Sequence, residues 1–199
     1  MNLPNKISIA RICLIPVFVL FFFLEIPFHY GISAIIFVVA AATDFIDGYI
    51  ARSRNLVTNL GKFLDPIADK VLVATAFVLL LAAKEDIFGA LGGLTNVVYV
   101  TVAICVCIIL ARELIISAFR QIAAANGIIM AAEKLGKYKT ATQDACIFVI
   151  ILSGSIAGTF GLVALWIGLA LFAIATVLTV VSGCSYVLKN KVVLQDSEK

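Results

Sequence analysis

Long apolar blocks alternate with short polar breaks along the chain. A helix needs about 20 residues to cross a hydrocarbon core. Ile7 to Ile26 meets that length as a first span, with Asn5 or Ser8 as candidate caps. Pro27 to Tyr30 turns the chain, and Gly31 starts the second block. Its uncharged sequence ends at Thr43, too short to cross, so the second span is complete only if it includes Asp44, Asp47 and Arg52. The third block mirrors it. Val71 to Ala83 is too short alone, and the helix must begin near Gly61 and take in Asp65, Asp69 and Lys70. A fourth span runs from about Asn96 through Arg112 towards Arg120, a fifth from about Thr140 to Ile156, and a sixth from about Leu162 to Leu188. Asn126 to Lys139 reads as the loop between the fourth and fifth. The expectation is an all-α integral membrane protein with six transmembrane helices.

Composition agrees. Of 199 residues, 63% are hydrophobic and 14% charged, whereas a soluble domain is about half apolar and about a quarter charged. Mean hydropathy is +1.13. With no long polar stretch to build a second unit, residues 1–199 read as a single transmembrane domain. The first apolar run continues past Phe23 without a small-residue cleavage site, so it reads as a retained span rather than a signal peptide. Cys13, Cys105, Cys107, Cys146 and Cys184 all lie in apolar runs, and buried reduced thiols are expected rather than disulfides or a metal site.

Charge sets the orientation. With both termini in the cytoplasm, the outer loops fall near residues 25–31, 84–95 and 154–162. Of fifteen Lys and Arg, only Lys84 then lies outside, as the positive-inside rule requires. Phe28, Tyr30 and Trp166 fall near the outer boundary and Tyr186 near the inner one, where interface anchors belong. The protein is therefore expected in the cytoplasmic membrane of the cell, multi-pass, with its polar face towards the cytoplasm. Nothing points to nucleic acid.

Four of the twelve acidic residues lie between Asp44 and Asp69. Asp44 is thirteen residues from Gly31 and Asp69 fourteen from Ala83. At about 1.5 Å per residue, both sit roughly 20 Å from the outer surface. Asp47 and Asp65 lie a turn nearer the cytoplasm. Spacings of three and four keep each pair on one helix face. Carboxylates at this depth are costly and mark function. Together they must protonate or recruit cations. Two divalent ions supply four positive charges, and all-oxygen ligation favours Mg2+ or Mn2+ over zinc. Such a pair serves displacement at phosphorus. Gly48 and Gly61 leave space for a ligand, Arg52 can meet phosphate oxygens, and Lys62 and Arg54 add positive charge. As packing alone, Gly48 and Gly61 would be ordinary, and Pro66 shapes the start of the third span.

Asp44-x-x-Asp47-Gly48-x-x-Ala51-Arg52 followed by Gly61-x-x-x-Asp65-x-x-x-Asp69 resembles, at every fixed position, the signature of the CDP-alcohol phosphotransferase family. The resemblance implies transfer of a phosphate-containing group from a CDP-linked donor to an alcohol, with release of CMP. It also implies six spans, a cytoplasm-facing site, two divalent metal ions and a homodimer. On it, Asp44, Asp47 and Asp65 would be metal ligands. Asp69 would ligate metal, act as general base on the acceptor hydroxyl, or both. Gly48, Ala51, Arg52 and Gly61 would line the CDP site, with Thr58 a further polar contact.

The acceptor has to be read elsewhere. Arg112, Arg120, Lys134, Lys137 and Lys139 form a second cationic set, suited to an acceptor that carries phosphate. Against this stand an ion pair of Arg112 with Glu113 or Asp144, and ordinary inner-side charge for the lysines. Asn2-Leu3-Pro4-Asn5 with Arg11, Ala111-Arg112-Glu113, and Leu135-Gly136-Lys137-x-Lys139-Thr140 resemble the bacterial phosphatidylglycerophosphate synthases within the family. This implies CDP-diacylglycerol as donor and glycerol 3-phosphate as acceptor in anionic phospholipid synthesis, with Arg112, Arg120, Lys137 and Lys139 on the acceptor phosphate. Inositol phosphate, serine or phosphatidylglycerol are alternative acceptors. A cation-coupled transporter is the alternative of another class, since intramembrane aspartates on paired helices serve that role too. Gly154-x-x-x-Gly158 reads as a turn, Lys189 to Lys199 as a polar tail near anionic lipid, and His29 has no assigned role.

Overall fold

The computed structural model describes residues 3–53, 59–125 and 134–189; within these, side chains are described except at 3–5, 44–53, 59–66, 124–125 and 134. Among these residues six long helices form: α1 (Leu3–Phe23), α2 (His29–Ser53), α3 (Asn59–Ala82), α4 (Thr95–Ala125), α5 (Lys134–Ser153) and α6 (Gly158–Lys189). There are no strands among the described residues. By length and composition, three helical stretches among the described residues are apolar enough to cross a membrane: Lys6–Phe23, Lys84–Ala123 and Gly158–Lys189. His29–Thr43 is a shorter apolar helix.

Helices α2 and α3 do run unbroken through their charged residues, as the length argument required. Backbone groups in an apolar medium must be satisfied within the segment, so a helix once started continues through Asp44 and Asp47. Other boundaries differ from expectation. Helix α1 stops at Phe23 rather than Ile26. The residue before Pro27 is disfavoured in helical conformation, and Phe28 then turns the chain at φ 64°. Ser8 is no cap but a fully buried residue inside α1. Helix α5 begins at Lys134, so the last six residues of the expected 126–139 loop are helical. Their polarity hid them from a hydropathy count, and the buried Lys139 supplies the reason they fold. Residues 126–133 lie outside the described residues.

The segment over residues 84–95, expected as an outer loop, is compact. A π-helical turn over Lys84–Phe88 leads into a 3-10 stretch over Gly89–Leu94. Ile87 and Phe88 bury against the core. Tyr30 donates its hydroxyl proton to Asp86 Oδ2 at 2.8 Å, tying α2 to this loop. Tyr30 is thus a buried tether, not a boundary anchor, whereas Phe28 and Trp166 are exposed. His29 donates from Nδ1 to the Phe22 carbonyl at 3.0 Å and closes the first turn. The Gly154 to Gly158 segment is a turn, ending on Gly158 at φ 71°, a conformation an L side chain resists.

Helices α1 and α2 pair closely, as do α5 and α6. Helix α3 touches α1, α2, α4 and α5, and α2 also packs on α5. One apolar core runs through these contacts, with Phe18 against Phe37 and Phe77 against Phe172. A smaller cluster of Ile116, Phe119, Ala123 and Tyr186 joins the far ends of α4 and α6. The cysteines are all free, but only Cys146 is buried. Cys13, Cys107 and Cys184 lie on outward helix faces, where an apolar thiol suits lipid as well as a core would.

Candidate active site

Asp44, Asp47, Gly48, Ala51 and Arg52 lie on the second half of α2. Gly61, Asp65 and Asp69 lie on the first half of α3. The two helices pack directly on each other. The spacings of three on α2 and four on α3 therefore hold on intact helices, which keeps each carboxylate pair on one face. The side chains of Asp44, Asp47, Asp65, Gly48, Ala51, Arg52 and Gly61 are outside the described set, and Thr58 lies outside the described residues altogether. No group of three His, Cys, Asp or Glu side chains gathers among the described residues.

Asp69 is the described member of the four, and it is half-buried. It lines a cavity of about 180 Å³ between α3, α4 and α5, together with Lys70, Glu113, Lys139, Thr140 and Gln143. Helix α3 brings the carboxylate and α5 brings the lysine, so residues seventy apart in sequence meet there.

Glu113 organises the charges. Its Oε1 accepts from the Lys139 ammonium and from Arg112 Nη1, the latter at 3.1 Å. The Lys139 side chain is only 7% exposed, and those of Arg112 and Glu113 18% each. Arg112 Nη2 donates to Ser182 Oγ on α6 at 3.0 Å. Arg112 Nε is buried without a hydrogen-bond partner. A Cβ on Gly183 would lie 2.9 Å from that nitrogen and 3.0 Å from Arg112 Cγ, so the missing side chain makes room for the arginine. The ion pair of Arg112 with Glu113, one of the two readings open from sequence, is thus formed. Counting Arg112, three cations here face the carboxylates of Asp69 and Glu113.

The four acceptor-phosphate candidates separate. Lys139 lines the cavity and Arg112 reaches it through Glu113. Arg120 donates from Nε to the Tyr186 hydroxyl at 3.1 Å, with its guanidinium 5.1 Å from the centre of that ring. Lys137 is exposed. Neither Arg120 nor Lys137 lines the cavity. Tyr186, expected as an interface anchor, is buried beneath Arg120 and against Phe119. The arginine occupies its polar edge, so the ring has no need of the membrane boundary.

Sequence reasoning missed Lys70, Gln143, Ser182 and Gly183. Lys70 adjoins Asp69, and Gln143 falls four residues after Lys139, which is one helical turn. That spacing was the available signal for Gln143. Ser182 and Gly183 had none, because only the packing of α6 on α4 brings them to Arg112.

A family model, CDP-alcohol phosphatidyltransferase, matches residues 1–181. The chain is 36% identical to a Bacillus subtilis protein named CDP-diacylglycerol–glycerol-3-phosphate 3-phosphatidyltransferase, covering 98% of each. Proteins of the same name from Rickettsia bellii and Shigella flexneri are 39% and 36% identical, covering 93% and 98% of each chain.

Proposed function

Since the chain belongs to the CDP-alcohol phosphatidyltransferase family, we propose that it transfers a phosphatidyl group from CDP-diacylglycerol to glycerol 3-phosphate, giving phosphatidylglycerophosphate and CMP. The transporter alternative falls with family membership. The observation that carries the reading is the shared cavity: Asp69 of the aspartate signature and Lys139 of the acceptor set line one space. The near full-length likeness to relatives bearing that name supports the choice of acceptor.

The donor set fits divalent cations, being four carboxylates on two packed helices with all-oxygen chemistry. Asp44, Asp47, Asp65 and Asp69 would hold two of them, Mg2+ or Mn2+. When bound, they would neutralise the diphosphate and make CMP a better leaving group. Gly48, Ala51, Arg52, Thr58 and Gly61 would bind the CDP moiety. Asp69 would take the proton of the acceptor's primary hydroxyl. That oxygen forms the new bond to the diacylglycerol-side phosphorus, and the bond from this phosphorus to the bridging oxygen breaks. CMP departs with the electron pair. Lys139 and Arg112 would hold the acceptor phosphate with N–H groups that Glu113 leaves unused, with Arg120 and Lys137 at the approach.

The same proposal takes the chain as one domain of six spans, with both termini and the site on the cytoplasmic side, working as a homodimer among membrane lipids. Fourteen of the fifteen Lys and Arg, all but Lys84, support the sidedness.

The test is an acceptor panel. Purified protein in detergent receives labelled CDP-diacylglycerol with glycerol 3-phosphate, serine, inositol phosphate or phosphatidylglycerol. CMP release with glycerol 3-phosphate alone is expected. A lipid product with another acceptor and none with glycerol 3-phosphate would overturn the proposed specificity.

A further inference from the structure

Gln143 stands one turn past Lys139 on α5 and is 2% exposed. It lines the same cavity as Asp69, Lys70, Glu113 and Lys139. Its amide oxygen Oε1 is buried and accepts no hydrogen bond from the protein. A buried amide carbonyl is ordinarily paired, and one left open beside a cavity calls for a donor within it.

The chemistry of the lining restricts what that donor is. A fully ionised phosphate has no proton to give, and its partners here are the ammonium and guanidinium groups. Of the carboxylates that line the cavity, Glu113 is engaged by Lys139 and Arg112. Asp69 is, on the proposed function, the base that meets the hydroxyl that reacts. An acceptor that carries a phosphate and two hydroxyls therefore has one hydroxyl unread by either charge, and Gln143 Oε1 is the acceptor that matches it.

We propose that Gln143 is a specificity-determining residue, its Oε1 accepting a hydrogen bond from the secondary hydroxyl of the acceptor alcohol. This rests on the proposed glycerol 3-phosphate activity and extends it to the group that tells this acceptor from a simpler hydroxyalkyl phosphate. A site built to bond a hydroxyl discriminates against the analogue lacking it, because the buried partner is left unpaired.

The experiment pairs the residue with the hydroxyl. CMP release is measured for glycerol 3-phosphate and for 3-hydroxypropyl phosphate, which keeps the phosphate and primary hydroxyl and lacks only the secondary one. Wild-type protein is expected to favour glycerol 3-phosphate by about tenfold in kcat/KM, which is about 1.4 kcal/mol. Gln143→Leu is expected to remove that preference, mainly by raising KM for glycerol 3-phosphate, until both acceptors react within about twofold of each other. Gln143→Met carries the same expectation and stands in if the leucine variant does not fold. A preference that survives either folded variant overturns the inference, as does a wild type indifferent to the missing hydroxyl; the oxygen then meets water. A wild type that uses neither acceptor would instead overturn the proposed function, and this inference with it.

Discussion

Replacing Glu113 measures how strongly the acceptor-side charges depend on one another. Glu113 binds the Lys139 ammonium and Arg112 Nη1 together. With the Lys139 side chain 7% exposed, removing the carboxylate strands a buried cation. Stranding one member of a buried pair costs about 3–5 kcal/mol. Glu113 is 18% exposed, and Glu113→Gln retains a carbonyl oxygen, so the expected loss is nearer about 2 kcal/mol, the value of a charge-assisted hydrogen bond. For a chain of this size that lowers Tm by about 4–8 °C. Lys139→Met removes the ammonium but keeps an apolar stem of similar length. In the double variant no ammonium is stranded and only Arg112 still lacks the carboxylate, a loss it shares with the Glu113 single variant, so the double loss should fall short of the summed single losses by about 2 kcal/mol. The assay is a thermal melt of the purified protein in one detergent, followed as the fraction that stays monodisperse. Sites that share no interaction add to within about 0.5 kcal/mol. Additivity of that quality would refute the pair as an energetic unit and leave Lys139 held by packing alone.

Other outcomes follow from the same geometry. Asp69→Asn should cut CMP release by about a hundredfold or more, the scale of a lost general base; chelation should abolish release, with recovery on adding Mg2+ or Mn2+. Gly183→Ala puts a methyl 2.9 Å from Arg112 Nε, an overpacking cost of about 1–3 kcal/mol set against about 1 kcal/mol of helix propensity gained. Acceptor KM should therefore rise in steady-state kinetics while Tm moves little. Tyr30→Phe loses the 2.8 Å bond to Asp86 far from the cavity, so Tm should fall by the equivalent of about 1 kcal/mol with kcat/KM unchanged. A C-terminal alkaline-phosphatase fusion should be inactive and a C-terminal green fluorescent protein fusion bright, because the tail is proposed to lie in the cytoplasm.

How far the fold could be read from sequence depended on whether the signal was local. Helices α2 and α3 were legible because a shortage of uncharged residues forced Asp44, Asp47, Asp65 and Asp69 into them, and the chain obeys that arithmetic. The start of α5 was not, because Lys134 to Lys139 has the polarity of a loop. Its stabilising contact is with Glu113, twenty-six residues away. The two tyrosines misled for the same reason. Tyr30 and Tyr186 sit near block ends, as interface anchors do, but Asp86 and Arg120 give their hydroxyls partners inside the protein.

The acceptor set shows most clearly what sequence withholds. Arg112, Arg120, Lys137 and Lys139 were equivalent as cations on the inner side, since sign and side are all that spacing offers. Structure divides them by partner. Arg120 is taken up by Tyr186, Lys137 faces outward, and Arg112 and Lys139 share Glu113. A carboxylate beside a proposed anion site looks unfavourable, yet two buried cations without one would be costly whenever no substrate is bound. Glu113 removes that cost and also fixes the direction of both cations. Arg112 has five N–H donors and spends two, on Glu113 and Ser182. Lys139 has three and is bonded through one acceptor, Glu113 Oε1. On the proposed function, the remaining donors would be oriented before the acceptor arrives, and binding would need little reorganisation. The carboxylate and the cations are thus held as one hydrogen-bonded unit, and α6 belongs to it through Ser182 and Gly183, although nothing in the sequence of α6 announces the contact.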